Sequence, residues 1–528
     1  MKSTTYNFAN SWRFFILTST FAILALTTLT QANPGTELPN RDYGFYAYIG
    51  KQVVKGQLPY QDVWESKPPA IFYLNAIALR IGRGSRWGIW LVEYIFLFAA
   101  ILSSYQLIKK IWGTESALLG VVTWLWGLDF VLQGGNYTEE YPLVFHFISL
   151  LLFLKLIDSP GNRLNNLTLG LMLAFSFLFR PNNAIVETVV IFVLVCTLIL
   201  DHKFRALLFS TFWITTGFLI PIIITSAYFA YHGLLQEMFE ASILYNLTYS
   251  STSLTSNSPI SVGFGYLNLS AWVALIGYVL VLFRIKYYRG KPVFYLLIVI
   301  LIGMPMAVYL SDPARRNYGH YFINWLPFIA LLSGFAFHTI QEKLAGFTKN
   351  IQTPALLPIS LVLAVSMGIF VASGRAGLYQ KAMDRLIHGP ERELRSAISI
   401  YVENHTRPDE YVLFWATMPG ENFMSRRNAP YSTLFYPMMV ESEISDRLNE
   451  DFFEDIKRNL PVLIADMGRL TIPSLDPQKR AEQRSAGIEW PYLPDNLEEV
   501  YTFVEENYYL EAVIKGKSIY RLYGTSRP

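Results

Sequence analysis

Residues able to do chemistry gather in four short strings separated by long apolar runs. The first string reads Arg41-Asp42-Tyr43-Gly44-Phe45-Tyr46, then Gly56-Gln57-Leu58-Pro59-Tyr60-Gln61-Asp62, then Lys67-Pro68-Pro69. A carboxylate such as Asp42 can take a proton from a hydroxyl. An ammonium held by a proline-stiffened turn, as at Lys67, can stabilise an anionic leaving group. Each charge alone equally suits a solvated connector with snorkelling lysines. The second string, Thr138-Glu139-Glu140-Tyr141-Pro142-Leu143, sets two carboxylates at the mouth of an apolar run. They are either chemical groups or acids stabilised by a helix N-terminus. The third is Arg180-Pro181-Asn182-Asn183, and the fourth runs from Ser311 through Asp312, Arg315, Arg316, His320 and Tyr321 to Phe322. Its concentrated positive charge either pairs a phosphate or borders a membrane. His146, six residues past Glu140, reads as a packed side chain.

No Gly-rich phosphate loop, His-Glu-x-x-His spacing or nucleophile elbow is present. The sequence therefore assigns no metal ligands and no cofactor, and leaves a divalent metal open. The single cysteine, Cys196, sits in an apolar run and reads as a buried, inert thiol.

The elements that must position these strings are membrane helices. Of 528 residues, 52% are hydrophobic and 16% charged, against roughly 25% charged in soluble domains. Mean hydropathy is +0.30. Residues 1–390 hold 27 Lys and Arg against 17 Asp and Glu, whereas residues 391–528 hold 16 against 23. The basic residues lie in short clusters between apolar runs, so no nucleic-acid partner is implied; the bilayer is. Apolar segments at 14–30, 87–108, 116–132, 141–157, 164–179, 184–200, 206–231, 269–283, 293–310, 322–337 and 355–371 predict about eleven transmembrane helices. The first reads as an uncleaved anchor, although Lys2 and Arg13 before it also suit a leader. Residues 70–79 suit a shorter helix lying in the membrane interface.

With a cytoplasmic N-terminus, the inward loops carry Lys109-Lys110, Lys155/Arg163, Lys203/Arg205, Arg284 to Lys291 and Lys343/Lys349, while the outward stretches 133–140 and 232–268 carry no Lys or Arg. The basic stretch 41–86 and Arg315-Arg316 are exceptions on the outside. The expected organisation is a polytopic α-helical membrane domain over 1–373, with an external loop at 31–86, then a linker and small extracytoplasmic α/β domain over 374–528. In the tail, 392–403 and 497–506 have helical spacing, 411–415 and 462–465 read as buried strands, and 513–522 as a hairpin broken at Lys515-Gly516-Lys517. That domain is expected to shape acceptor access, so that its loss weakens acceptor use and spares donor binding.

The first string resembles the GT-C superfamily of membrane glycosyltransferases, in particular bacterial relatives of protein mannosyltransferase (glycosyltransferase family 39) and of the aminoarabinose transferase acting on lipid A. The resemblance rests on Asp42, Tyr46, the Gly56/Pro59/Tyr60/Asp62 turn and Lys67-Pro68-Pro69 before an apolar helix. It departs at Tyr43, where several relatives have Glu. It implies a GT-C-like fold in a bacterial inner membrane and inverting transfer of a sugar from a polyprenyl-phosphate donor to a hydroxyl of a lipid, glycan or protein acceptor. It implies Asp42, Glu140 and Glu139 as catalytic acids, Glu140 matching the second acid best. Lys67, Arg180, Arg315, Arg316, His320 and Tyr321 would bind the donor phosphate, with Tyr46, Tyr60 and Asp62 supporting. The lack of a nucleotide-binding motif agrees with a lipid-linked donor. A transporter or flippase for a lipid-linked sugar is the competing class, as is a non-catalytic assembly protein. Few ionisable residues fall within spans, and no matched pair of interrupted helices favours transport.

Overall fold

A run of about fifteen or more largely apolar residues can satisfy its backbone in lipid only as a helix, and all eleven apolar segments are helical in the computed structural model. It describes residues 2–251, 257–345, 356–468, 472–490 and 492–527. Lys349, Ala355 and residues 252–256 of the outward stretch lie outside the described residues. The helices are Lys2–Thr28, Arg86–Trp112, Thr114–Val131, Leu143–Asp158, Arg163–Phe179, Ile185–Leu200, Phe204–Tyr231, Leu269–Arg284, Pro292–Ser311, Leu326–Ala345 and Leu356–Ala372. Among the described residues, seven helical segments are long and apolar enough to cross a membrane, or eight if Leu356–Ala372 and Arg375–His388, bent by 66°, form one span. The chain is an integral membrane protein. The eleven expected segments are thus helices, but the count of eleven spans is not reached: Thr114–Val131, Leu143–Asp158 and Arg163–Phe179 are not among the segments long and apolar enough to cross.

The chain divides into two units, one formed by 1–33, 90–228 and 253–384, the other by 34–89, 229–252 and 385–528. In the first, the helical unit, small residues let backbones approach, as expected where lipid competes for apolar contact. A Cβ on Gly170 would lie 2.0 Å from the Ile214 carbonyl oxygen, and one on Gly277 would lie 2.2 Å from that of Leu332. Indole N–H groups find hydroxyls: Trp124 donates to Ser104 at 3.2 Å and Trp325 to Ser311 at 3.0 Å. Residues 319–344 form the most enclosed span, with 83% of its apolar window buried. Cys196 is half-buried rather than buried, because the Ile185–Leu200 helix turns one side away from the packed core.

His146 is buried as expected, but in an ionisable setting. Its Nδ1 lies 3.0 Å from the buried Glu187 carboxylate, which also accepts from Ser149 and Ser176. The pair ties three helices together.

The second unit joins the 34–89 segment to the tail. Four strands, β1 (Val412–Trp415), β2 (Leu463–Asp466), β3 (Tyr508–Ile514) and β4 (Lys517–Leu522), form a sheet in the order β1-β2-β4-β3. β1 and β2 run parallel, and β4 is antiparallel to both of its neighbours. Val412, Phe414, Leu463, Ala465 and Ile519 pack with Ile398 and Val402 of the Ala397–Asn404 helix. A helix the sequence reading did not single out, Glu443–Asn459, buries Leu448, Phe452, Phe453 and Ile456 and is capped by Ser442, whose side chain accepts from the Ser445 amide.

Candidate active site

Asn40 starts the Arg41–Val54 helix by accepting from the Tyr43 amide at 2.7 Å, which sets Asp42 in the first turn. An acid there is favoured by the helix dipole. The Gly-x-x-Pro-Tyr-x-Asp string is a compact turn. Asp62 accepts from the Leu58 amide at 2.7 Å, and Tyr60, with φ +75°, donates its amide to the Val63 carbonyl at 2.8 Å. Asp62 is exposed and bonded back onto its own loop, so its support is structural. Tyr60 is buried; its hydroxyl donates to the Lys67 carbonyl at 2.8 Å and lies 3.2 Å from Ser242 Oγ. Tyr46 is also buried, its ring 6.4 Å from Phe72.

The turn delivers Glu65-Ser66-Lys67, and here the structure adds a residue the sequence reading left without a role. Glu65 is 2% exposed and lies 3.7 Å from the Lys67 ammonium. Ser66 donates to Glu65 at 3.0 Å and Lys67 donates to Ser66 at 3.3 Å. The Ser66 carbonyl accepts from Asn246 at 2.5 Å. Burial, with the nearby Asp42 charge and against the pull of Lys67, holds the Glu65 carboxyl above the usual range. The loop thus adds a buried carboxylate, Glu65, that feels the charge of Asp42 and has Lys67 beside it. Pro69 then starts the Ala70–Ile81 helix, which buries Ile71, Phe72 and Ala76 and exposes Ile77 and Ile81, the amphipathic form expected.

The tail completes this unit. The Trp64 amide donates to the Ser432 carbonyl at 2.8 Å, and Tyr48 accepts from the Ala429 amide at 2.8 Å. Arg86, 1% exposed, pairs with Glu393 at 2.8 Å and donates to the carbonyls of Pro34, Glu37 and Leu394. Lys51 is packed 5.6 Å from the Phe423 ring; burial and the charges of Lys55, Arg426 and Arg427 lower its pKa to about 7.

The helical unit holds the other residues singled out. Residues Gln133, Gly134, Gly135 and Asn136 all take positive φ, four in succession, a conformation that two glycines and an asparagine relieve. The turn brings the Asn136 amide onto the buried Glu93 carboxylate, and a Cβ at Gly135 would sit 2.3 Å from Glu93 Oε1. Pro181 forces Arg180 out of the helical region, to φ −168°, where it ends the Arg163–Phe179 helix. Its guanidinium pairs with Glu139 and lies 4.4 Å from the centre of the Tyr321 ring. Thr138 donates to Glu139 at 2.9 Å, and Asn183 to the Thr138 carbonyl at 2.8 Å. His320 stacks on Tyr137 at 4.1 Å. Burial works against ionisation of Glu139, but Arg180, His320 and Thr138 outweigh it and its pKa falls below the usual range. Glu140 has no such partner: burial raises its pKa to about 8 against weak help from the Tyr137 and Asn136 amides.

The structure therefore gathers Glu139, Arg180, His320 and Tyr321, with Glu140 adjacent in sequence and different in charge state. Arg315 and Arg316 belong to a turn built by Asp312, whose carboxylate accepts from the Arg316 and Asn317 amides at 2.8 and 2.7 Å. Arg316 is buried and Arg315 exposed. Arg315 and Asp312 supply charge to an otherwise apolar groove of about 650 Å3, walled by Ile260, Phe264, Leu275 and Val308. Among the described residues, no group of three or more His, Cys, Asp or Glu side chains is arranged to hold a metal.

The family described as the putative competence-induced protein Ccs4, N-terminal domain, matches residues 2–363. The chain belongs to this family. No curated protein matches the sequence. Among solved structures, ArnT from Cupriavidus metallidurans bound to undecaprenyl phosphate aligns with a TM-score of 0.59 over 96% of this chain and 98% of its own, at 13% identity. The apo state of ArnT gives 0.58 over 97% and 98%, at 12% identity. The Ccs4-family chain thus shares the fold of ArnT over nearly its whole length.

Proposed function

We propose that this protein is a glycosyltransferase that moves a sugar, hexose or pentose, from a polyprenyl-phosphate donor to an acceptor hydroxyl on a lipid, glycan or protein. The observation that carries this reading is the Asp42, Glu65, Ser66 and Lys67 constellation on one braced loop. Asp42 takes the acceptor proton as the hydroxyl attacks the anomeric carbon, and the phosphate leaves with the bonding pair. Lys67 meets the charge that develops on the phosphate, and Glu65 and Ser66 aim it. A cation favouring the departing phosphate over the bound ester accelerates the step itself. One displacement inverts the anomeric centre.

In the helical unit, Arg180 is committed to Glu139, while the exposed Arg315 is suited to a phosphate and the apolar groove beside it suits an isoprenoid chain. ArnT, which shares the fold, was crystallised with undecaprenyl phosphate, which supports a lipid phosphate as the donor's carrier. The loop asymmetry supports a cytoplasmic N-terminus and an extracytoplasmic tail, in a bacterial inner membrane. Purified protein incubated with polyprenyl-phosphate sugars should release polyprenyl phosphate in the presence of acceptor, and Asp42→Asn should not. Release at equal rates by both would remove Asp42 from the chemistry.

A further inference from the structure

A pocket of about 250 Å3 in the second unit is lined in part by the candidate loop. Tyr60 and Trp64 line it from the loop, Glu237 and Glu240 from the 229–252 segment, and Thr433 and Asp451 from the tail. Three carboxylates face it against one guanidinium, Arg447, and that guanidinium is occupied by an ion pair with Glu240. Ionised carboxylates only accept hydrogen bonds, so the lining favours a ligand rich in donors and repels anions. Thr433 independently marks the pocket as suited to a polar ligand. It is 1% exposed, and its hydroxyl has no hydrogen-bond partner among the described residues. A buried hydroxyl left unpaired carries a cost that a bound polar group removes.

The acids are not arranged to hold a metal. The rings of Tyr60 and Trp64, with Leu448, add an apolar wall. A ligand with several O–H or N–H donors and one C–H face meets both demands, as a pyranose does. We infer that this pocket is a binding subsite for a sugar unit of the acceptor, with preference for one bearing an amine. The inference rests on the transferase reading, and the position fits it: Trp64 is followed directly by Glu65-Ser66-Lys67, so a sugar held here is anchored to the segment that carries the reacting groups.

Saturation-transfer NMR on the full-length protein in detergent tests this without donor or turnover. Glucosamine should show transfer and bind several-fold more tightly than methyl α-mannoside, while inorganic phosphate does not compete. Asp451→Asn and Glu237→Gln, both at exposed positions, should each weaken glucosamine binding several-fold, and Thr433→Val should weaken both sugars. No saturation transfer, affinities unchanged in all three variants, or competition by phosphate would overturn the subsite. Failure of the transferase reading has a different signature: sugar binding that behaves as described, with no release of polyprenyl phosphate from any donor.

Discussion

Lys67 against Lys51, and Glu139 against Glu140, show how one residue type takes opposite parts. Lys67 keeps part of its surface open and is aimed by Glu65 and Ser66, so Lys67→Gln should cut the transfer rate by ~10²–10³. Lys51→Gln, at a position where burial already weakens the charge, should leave the rate near wild type. Initial rates at saturating acceptor, after matching membrane insertion, decide it; equal rates would return Lys67 to an ordinary snorkelling role. Glu139 is buried in an ion pair with Arg180, so Glu139→Gln strands a guanidinium and should cost about 3–5 kcal/mol of stability, measurable by denaturant unfolding. Glu140 behaves otherwise. Its pKa, raised to about 8, means the native state holds a proton that the unfolded chain loses near its ordinary carboxyl pKa. Stability from this group is therefore full at low pH and is lost as pH rises towards 8. Glu140→Gln should raise the melting temperature at pH 9 and change it little at pH 5; an equal shift at both would contradict the buried, protonated state.

At the level of elements, periodicity and composition predict most of what forms. The eleven apolar segments, the 497–506 helix and the parallel strand pair stand where their apolar spacing puts them, and the hairpin turns at Lys515-Gly516, whereas the helix expected over 392–403 forms only at Ala397–Asn404 because Ser396 caps it there. The Glu443–Asn459 helix is the exception, because its charged face hides a narrow stripe of Leu448, Phe452, Phe453 and Ile456. The site was legible in part. Asp42 and Lys67 stand out by motif, but Glu65 gains meaning only once it is seen buried against Ser66 and Lys67. Nor does one-dimensional spacing reveal that Arg180 is spent on Glu139. Helix packing is equally hidden. A Cβ on Gly44 would sit 2.7 Å from the Gly420 Cα, where the Arg41–Val54 and Pro419–Ser425 helices touch. Backbone cannot yield as a side chain can, so Gly44→Ala should destabilise the second unit by ~1–3 kcal/mol. Hydrogen exchange over residues 41–54 would report it as faster exchange, and unchanged protection would count against the close contact.

For the molecule as a whole, the tail is not an appendage to the first loop. It supplies Glu393 and Leu394 to Arg86, Ala429 to Tyr48 and Ser432 to Trp64. The expectation that losing the tail weakens acceptor use while sparing donor handling is replaced: deleting 391–528 leaves Arg86 buried without its carboxylate and should disorder the loop that carries Asp42 and Lys67. The role proposed for this loop is sugar transfer from a lipid phosphate. The most direct measurement incubates purified protein with a panel of polyprenyl-phosphate sugars and acceptor lipids or glycans, then identifies products by mass spectrometry and their anomeric configuration by NMR. Wild-type protein should give a glycosylated acceptor of inverted configuration, and Asp42→Asn none. Product retaining the donor's configuration, or formed equally by Asp42→Asn, would contradict that role.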